Sequence, residues 1–324
     1  MNQPARVTVV GSSNADLAVT MPRLPGPGET LLAHSFTVSP GGKGANQALA
    51  AALAGAPTEF IGAVGRDANA EEALRLLREA GVELGRVRTV DGPTGVALIS
   101  IDDRGENSIA VVPGANGTVT ADFVREVGGG DGAAGLGGVV VLQGEIPAEA
   151  VEEAVRQAAV GGARVVLNLA PVIELAREAV LAADPLVANE HEAALVLEML
   201  GAPVAADADA ETMARELCAR GLRSVVITLG AAGSLVAELD RIEHDGGPGQ
   251  SGEPTLTRVE AVRVSAVDTT GAGDAYTGAL AARLAHGDSL VEAAGFAARF
   301  SAASVTRPGA QASYPRSLDE VDAL

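Results

Sequence analysis

A run of small residues with the sequence DTTGAGD occupies positions 268–274 and precedes an Ala/Leu-rich segment that we predict to be a helix over residues 275–286. Backbone amides in the first turn of a helix lack intrahelical partners, and the helix dipole adds partial positive charge there. We therefore expect the amides of Gly271, Ala272 and Gly273 to form an anion site suited to a phosphoryl group. The alternative is simple capping of the helix by an aspartate, which is common in a first turn.

Asp274 lies at the edge of this predicted anion site. A carboxylate in that position can take a proton from a hydroxyl group as the hydroxyl attacks phosphorus. Phosphoryl transfer otherwise depends mainly on positioning and on neutralising charge. These residues indicate transfer of a phosphoryl group to an alcohol, with Asp274 as the general base.

We predict the first strand at residues 6–10, and a second polar segment begins just after it. Asn14 and Asp16 supply the mixture of hydrogen-bond donors and acceptors that a polyol requires. Further along, the glycine-rich turn around Lys43 precedes Asn46, which can add a side-chain amide. Lys43 is the only lysine in the chain, which suggests that a compact ammonium group is needed there. A sugar site fits this segment; a plain turn followed by a helix cap is the alternative.

The elements that must position these residues alternate between buried apolar runs and amphipathic helical windows. That alternation predicts an α/β fold with a mostly parallel sheet covered on both faces, and ligands in such folds bind outside the carboxyl ends of the strands. Two stretches, at about residues 15–40 and 93–112, break the pattern and are typical of antiparallel strands. We expect one domain over residues 1–324, in which these strands form a small sheet that covers a cleft or meets a partner chain.

The composition of the chain argues against several classes of protein, including those that bind nucleic acid, a membrane or zinc. The 324 residues are 47% hydrophobic and carry a net charge of −19, which disfavours binding to nucleic acid or to an anionic membrane. The single cysteine, Cys218, cannot form an internal disulfide, and the four histidines lack the spacing of a zinc site. No basic region followed by an apolar run opens the sequence, and no stretch is apolar enough to span a bilayer, so we expect a cytoplasmic protein.

The two glycine-rich segments resemble the two signatures of the ribokinase (PfkB) family of carbohydrate kinases. These segments are GGKGANQA at residues 41–48 and DTTGAGD at residues 268–274. RPGAQ at residues 307–311 adds to the likeness, which extends over almost the whole chain. The resemblance implies a three-layer α/β/α fold with a small β-sheet lid. It also implies transfer of the γ-phosphoryl group of ATP to the 5-hydroxyl of D-ribose, with Mg²⁺, activation by K⁺, and a homodimer joined through the lid strands.

The resemblance also implies a set of site residues. Those that would contact the sugar are Asn14, Asp16, Gly42, Lys43, Asn46, Glu145 and Asp274. The catalytic group would comprise Asp274 with Gly271, Ala272 and Gly273. Those that would contact the nucleotide, or hold its magnesium through water, are Asn189, Glu192, Thr228, Leu229, Gly230, Gly233 and Gly273. The activating monovalent cation, usually potassium, would be held by the segments that contain Asp268, Thr270, Ser304, Arg307, Gly309 and Ser313.

Alternatives stay open at this point. Glu145 can be read as a surface acid after a strand, and Asn189 as a helix cap. Ala298 stands where relatives often carry a polar residue beside the nucleotide. Another sugar or nucleoside kinase of the same family fits the motifs, although a nucleoside pocket would be expected to use aromatic contacts and the chain has few aromatic residues. From a different class, a sugar-binding regulator without catalysis would retain the sugar site but would not need Asp274.

Overall fold

The computed structural model describes residues 4–129, 135–240 and 252–324. Its strands are β1 Val7–Val10, β2 Asn14–Met21, β3 Ser35–Gly41, β4 Thr58–Gly65, β5 Glu83–Val90, β6 Gly95–Asp102, β7 Asn107–Val112, β8 Val139–Gln143, β9 Arg164–Asn168, β10 Leu186–Asn189, β11 Ser224–Thr228, β12 Ser234–Glu238 and β13 Thr255–Val259. Its helices are α1 Lys43–Leu53, α2 Ala68–Glu79, α3 Ala121–Val127, α4 Ala148–Gly161, α5 Arg177–Leu181, α6 Glu190–Met199, α7 Ala210–Ala219, α8 Ala272–His286, α9 Leu290–Ser304 and α10 Leu318–Asp322.

Nine strands form the central sheet in the order β13-β12-β11-β10-β9-β8-β1-β4-β5. Strands from β11 to β5 in this order run parallel, whereas β12 and β13 add an antiparallel edge. The predicted α/β architecture with a mostly parallel sheet is confirmed. No helix in the described ranges is long and apolar enough to cross a bilayer.

Side chains of the central strands alternate between two cores, one on each face of the sheet. Val9 and Val141 belong to the core beneath α1, α2, α8 and α9. Val10 and Leu142 belong to the core on the face that α3 to α7 cover. Because neighbouring residues of a strand point to opposite faces, strands buried on both faces require continuous apolar sequence, and β8 reads VVVLQ for this reason.

The small sheet has the order β3-β2-β6-β7. We call it the lid sheet. Strand β2 pairs antiparallel with β3 and parallel with β6, and β6 pairs antiparallel with β7. Asn14 and Asp16, which follow β1 along the chain, are the first and third residues of strand β2 of the lid sheet, so Asp16 lies within the stretch predicted to form this sheet and Asn14 just before it. The lid sheet therefore carries both of these polar side chains.

Candidate active site

The central sheet has a topological switch point between β8 and β1. From this point the chain adds β4 and β5 on one side of the sheet and β9 to β11 on the other. Crevices at such a point, outside the carboxyl ends of the strands, are where α/β sheets bind ligands. The two adjacent strand ends lead to Asn14 after β1 and to Glu145 after β8. The N-termini of α1 and α8 complete the crevice, and the two helices pack closely against each other.

Asp274 is buried in the first turn of α8. Asn46 Nδ2 donates to its Oδ2 at 2.8 Å, and Gln47 Nε2 donates to its Oδ1 at 2.8 Å. The residue that caps α8 is Gly271, and the Asp274 side chain makes no capping hydrogen bond. The capping alternative is therefore wrong for Asp274, whose carboxylate faces α1 instead of its own helix terminus.

The loop that opens α8 holds free amides beside this carboxylate. Gly271 has φ +73°, a left-handed conformation that favours glycine, and a side chain there would collide with Ala310. The amides of Gly271 and Gly273 have no acceptor in the described ranges, whereas Ala272 donates to the Thr269 carbonyl at 3.2 Å. The expectation of three unpaired amides thus holds for two of them. The two unpaired amides can donate hydrogen bonds to a negatively charged group that lies next to Asp274.

Lys43 opens helix α1 and faces the same crevice. The charge of Asp274 is the main cause that raises the pKa of Lys43 above its usual value, with Glu145 and Glu192 adding to the effect and burial opposing it. The backbone amide of Lys43 also donates to Glu145 Oε2 at 3.0 Å, and Ser12 Oγ donates to the same atom at 2.6 Å. Glu145 is therefore tied to the glycine-rich turn and is not a free surface acid.

Asp16 points from the lid sheet into this group of charges. Burial is the largest of the causes that raise the pKa of Asp16 to about 7, followed by the charges of Glu145 and Asp274. A Cβ atom at Gly41 would lie 2.2 Å from the Asp16 carboxylate oxygens, so glycine is needed at the end of β3. On the same strand as Asp16, Asn14 accepts a hydrogen bond from Asn116 Nδ2 at 2.7 Å.

Two adjoining cavities meet at the start of α8. The smaller, of about 190 Å³, is lined by Lys43, Asn189, Glu192 and Asp274 among others. The larger, of about 520 Å³, is mostly apolar. Both are lined by Thr228, Thr269, Ala272 and Gly273.

The larger cavity has the glycine-rich wall that was expected for a nucleotide. Thr228, Gly230 and Gly233 line it, and Ala298 does so as well. Leu229 does not line the cavity but packs against the core on the α3 to α7 face.

Asn189 and Glu192 form a reciprocal cap at the start of α6. Asn189 Oδ1 accepts from the Glu192 amide at 2.8 Å, and Glu192 Oε2 accepts from the Asn189 amide at 2.9 Å. The helix-cap alternative is thus correct for Asn189, and it coexists with a position in the wall of the smaller cavity. The oxygen donors of Glu192 and Asp274 fit Mg²⁺, which binds through one or two carboxylates, retained waters and substrate phosphates.

The segments predicted to hold a monovalent cation come together at the loop that precedes α8, which we call the anion loop because it carries the unpaired amides. Asp268 accepts from the Thr270 amide and hydroxyl with one oxygen, and from the Gly309 amide at 2.8 Å with the other. Ser304 and Ser313 are buried and donate to local carbonyls, and Arg307 pairs with Glu320. The carboxylate of Asp268 and the hydroxyls of Ser304 and Ser313 are oxygen donors, which suit a hard cation.

Several buried side-chain amides in or beside the site were not predicted as site residues. They are Gln47, Asn116, Gln143, Asn168 and Gln311. Gln47 lies within the motif at residues 41–48 and Gln311 within the additional match at residues 307–311, and only those positions could have indicated them. Nothing local marked the other three, because they reach the site only in the folded chain. Gln143 and Asn168 end strands β8 and β9, and Asn116 contacts Asn14 from a turn after β7.

Comparison with known proteins agrees with this geometry. Residues 4–317 match the pfkB family of carbohydrate kinases. The chain belongs to this family. Among family members, the ribokinase of Schizosaccharomyces pombe is 38% identical over 324 residues, covering 98% of this chain and 96% of the relative. The deoxyribokinase of Salmonella typhimurium is 34% identical over 312 residues, covering 95% of each.

Solved structures of the pfkB family have the same fold. The ribokinase of Thermotoga maritima superposes with a TM-score of 0.84 at 30% identity and covers 98% of each chain. The ribokinase of Arabidopsis thaliana, solved in complex with ribose and ATP, has a TM-score of 0.80 at 30% identity and covers 99% of this chain and 98% of its own. The fold and the family are thus both established for this chain.

Proposed function

We propose that this protein is an ATP-dependent ribokinase, which transfers the γ-phosphoryl group of ATP to the 5-hydroxyl of D-ribose. The observation that carries the proposal is the buried Asp274 carboxylate, which lies beside unpaired amides at the start of α8 and opposite Lys43. The similarity to ribokinases along nearly the full length of the chain supports ribose as the acceptor.

The sugar would bind between the lid sheet and the N-terminus of α1. Asn14 and Asp16 from β2, together with Lys43 and Glu145, offer both donors and acceptors to its hydroxyls. Gly42 and Asn46 complete the group on the α1 side. The 5-hydroxyl would lie next to Asp274, which takes its proton as the oxygen attacks phosphorus.

The nucleotide would occupy the larger cavity with its phosphates at the shared wall, where the amides of Gly271 and Gly273 receive developing charge. Magnesium would neutralise charge on the phosphates when bound, and Asn189 and Glu192 would hold it through water. Potassium would order the segments that contain Asp268, Thr270 and Gly309, which flank the anion loop.

We also infer a homodimer that forms through the lid sheet and works in the cytoplasm. A protein that consumes ATP must act where ATP is present, which favours that compartment. The strands of the lid sheet, which lie within about residues 15–40 and 93–112, would close over the sugar. The acidic net charge favours neither nucleic acid nor membrane as a partner.

A substrate panel tests the proposal. Release of ADP is measured with ribose, 2-deoxyribose, other pentoses, hexoses and nucleosides, each with and without Mg²⁺ and K⁺. We expect the highest kcat/KM for ribose, dependence on Mg²⁺ and stimulation by K⁺. Preference for 2-deoxyribose, the second candidate because a deoxyribokinase is nearly as similar as several ribokinases, would reassign the acceptor within the same chemistry.

Substitution of the base separates the kinase from a sugar-binding regulator. Asp274→Ala should lower kcat by about a hundred- to ten-thousand-fold, the usual scale for a general base. Asp122→Ala, which removes an exposed acid from α3, should retain normal turnover and serves as the control. Near-normal activity in a folded Asp274→Ala protein would contradict the proposed mechanism.

A further inference from the structure

Two chains of side-chain amides converge on the Asp274 carboxylate. On one side, Gln143 Nε2 donates to Gln47 Oε1 at 2.7 Å, and Gln47 Nε2 donates to Asp274 Oδ1 at 2.8 Å. On the other side, Gln311 Nε2 donates to Asn46 Oδ1 at 2.9 Å, and Asn46 Nδ2 donates to Asp274 Oδ2 at 2.8 Å. We call these four residues the amide relay.

The direction of every hydrogen bond in the relay follows from one charge. An ionised carboxylate can only accept, so the inner amides must turn their NH₂ groups toward Asp274 and their oxygens outward. Those oxygens then need donors, which Gln143 and Gln311 supply. The outermost oxygens, Gln143 Oε1 and Gln311 Oε1, are buried and have no partner in the part of the chain that the structure describes.

Unpaired buried acceptors are costly, and they are rare in folded proteins. Both unpaired oxygens lie at the outer ends of the relay. Each outer amide turns its NH₂ group inward, so its oxygen must face outward, where it has no donor. Gly11 makes room for one end, because a Cβ atom there would lie 2.1 Å from Gln143 Oε1. A further restraint acts on Gln47, whose second N–H donates to Asn168 Oδ1 at 2.9 Å.

We propose that the amide relay fixes the position of the Asp274 carboxylate, with Gln143 and Gln311 acting as positioning residues through Gln47 and Asn46. Each carboxylate oxygen accepts one relay N–H, which leaves its other lone pair for the sugar hydroxyl. The relay thus deepens the proposed function and rests on it, because Asp274 must be the base for positioning to affect turnover.

A double-mutant cycle on turnover tests the Gln143 arm. Gln47→Met should lower kcat by about ten- to a hundred-fold, the scale for groups that orient a functional side chain, and Gln143→Met by about three- to ten-fold. KM for ribose and for ATP should change by less than about twofold. The double variant should be no slower than Gln47→Met within about twofold, because Gln143 acts only through Gln47.

Gln157→Met is the matched control. Gln157 is also buried and donates to a carboxylate, that of Glu153, but it lies in α4 on the opposite face of the sheet. Its loss should leave kcat near the wild-type value. Losses that multiply in the Gln47/Gln143 double variant, or a Gln143→Met protein as active as Gln157→Met, would overturn the relay.

A second cycle needs no enzymatic activity. Gln143 does not touch Asp274, so two independent sites would lower the melting temperature additively. The relay predicts instead that Gln143→Met lowers the melting temperature less in an Asp274→Ala background than in the wild-type protein. Additive losses would count against the relay. If the wild-type protein fails to phosphorylate ribose, the proposed function falls and this cycle still decides the relay.

Discussion

At the scale of single residues, the site concentrates acidic groups. Glu145, Glu192 and Asp274 act on the Lys43 ammonium, whereas Asp16 is affected by the negative charges of Glu145 and Asp274. Burial and these two acidic neighbours make the charged form of Asp16 unfavourable and raise its pKa to about 7. A carboxyl group that holds its proton near neutral pH can both donate to and accept from a sugar hydroxyl.

The raised pKa of Asp16 predicts a pH-dependent stability. Between about pH 4 and pH 7 the folded protein binds this proton more tightly than the unfolded chain does, so the contribution of Asp16 to the free energy of unfolding falls as pH rises through that window. Asp16→Asn should therefore raise the free energy of unfolding at pH 8 by at most about 4 kcal/mol, with little gain near pH 4, and the melting temperature should follow the same trend. It should also raise KM for ribose.

Differential scanning calorimetry across this pH range provides the measurement. Asp322→Asn, in α10 near the end of the chain, is the control and should shift no part of the profile. A melting-temperature difference between Asp16→Asn and wild type that is the same at pH 4 and pH 8 would contradict the assignment.

At the scale of elements, the distance between α1 and α8 sets the geometry of the site, since Lys43, Asn46 and Gln47 lie on one helix and Asp274 on the other. Gly278 allows the close approach, because a Cβ atom there would lie 2.3 Å from the Gln47 carbonyl oxygen and 2.6 Å from Ala50 Cβ. The small residues of α1 and α8 are thus as necessary to the site as its polar ones.

Gly278→Ala should push the two helices apart. We expect a loss of about 1–3 kcal/mol in the free energy of unfolding, as for other overpacked cores, together with a lower kcat as Gln47 moves away from Asp274. Denaturant unfolding and steady-state kinetics measure the two effects.

Gly295→Ala in α9 is the matched control, because nothing lies within 4 Å of the added Cβ and its φ is not positive. That variant should be unchanged or more stable by up to about 1 kcal/mol, with normal turnover. Equal effects of the two substitutions would show that the packing of α1 on α8 does not control the site.

At the scale of the whole molecule, the lid sheet exposes apolar side chains that no other part of the described structure covers. Phe36, Val38 and Leu98 are each more than 40% exposed. Cross-strand pairing places Val38 and Leu98 opposite Leu17, so they lie on the face away from Asp16. An apolar sheet face of this kind is typical of a surface that meets another protein chain.

Leu98→Glu should convert the proposed dimer to a monomer, because a charge in the centre of an apolar interface is desolvated without a partner. Sedimentation equilibrium measures the mass directly. Val160→Glu, at an exposed apolar position in α4, should leave the mass unchanged. A wild-type protein that is monomeric at high concentration, or a Leu98→Glu protein that stays dimeric, would contradict assembly through this face.

Much of this protein could be predicted from its sequence alone. The alternation of apolar and amphipathic segments predicted the α/β fold, because strands buried on both faces and helices buried on one face require different periodicities. The loop before α8 and the turn around Lys43 were recognisable for a similar local reason, since glycine and unpaired amides are needed at particular backbone positions. Strands β5 and β13 are short of apolar residues, so this pattern did not indicate them.

Only the tertiary structure decided which residues meet. Asn14 and Asp16 follow β1 in the sequence, but pairing with β3 and β6 makes them part of the lid sheet and places Asp16 near Glu145 and Asp274. Gln47, Gln143 and Gln311 are separated by up to 264 positions and converge on one carboxylate. Local sequence specifies periodicity and backbone conformation, whereas contacts between distant side chains depend on how helices and strand ends are brought together in the packed core.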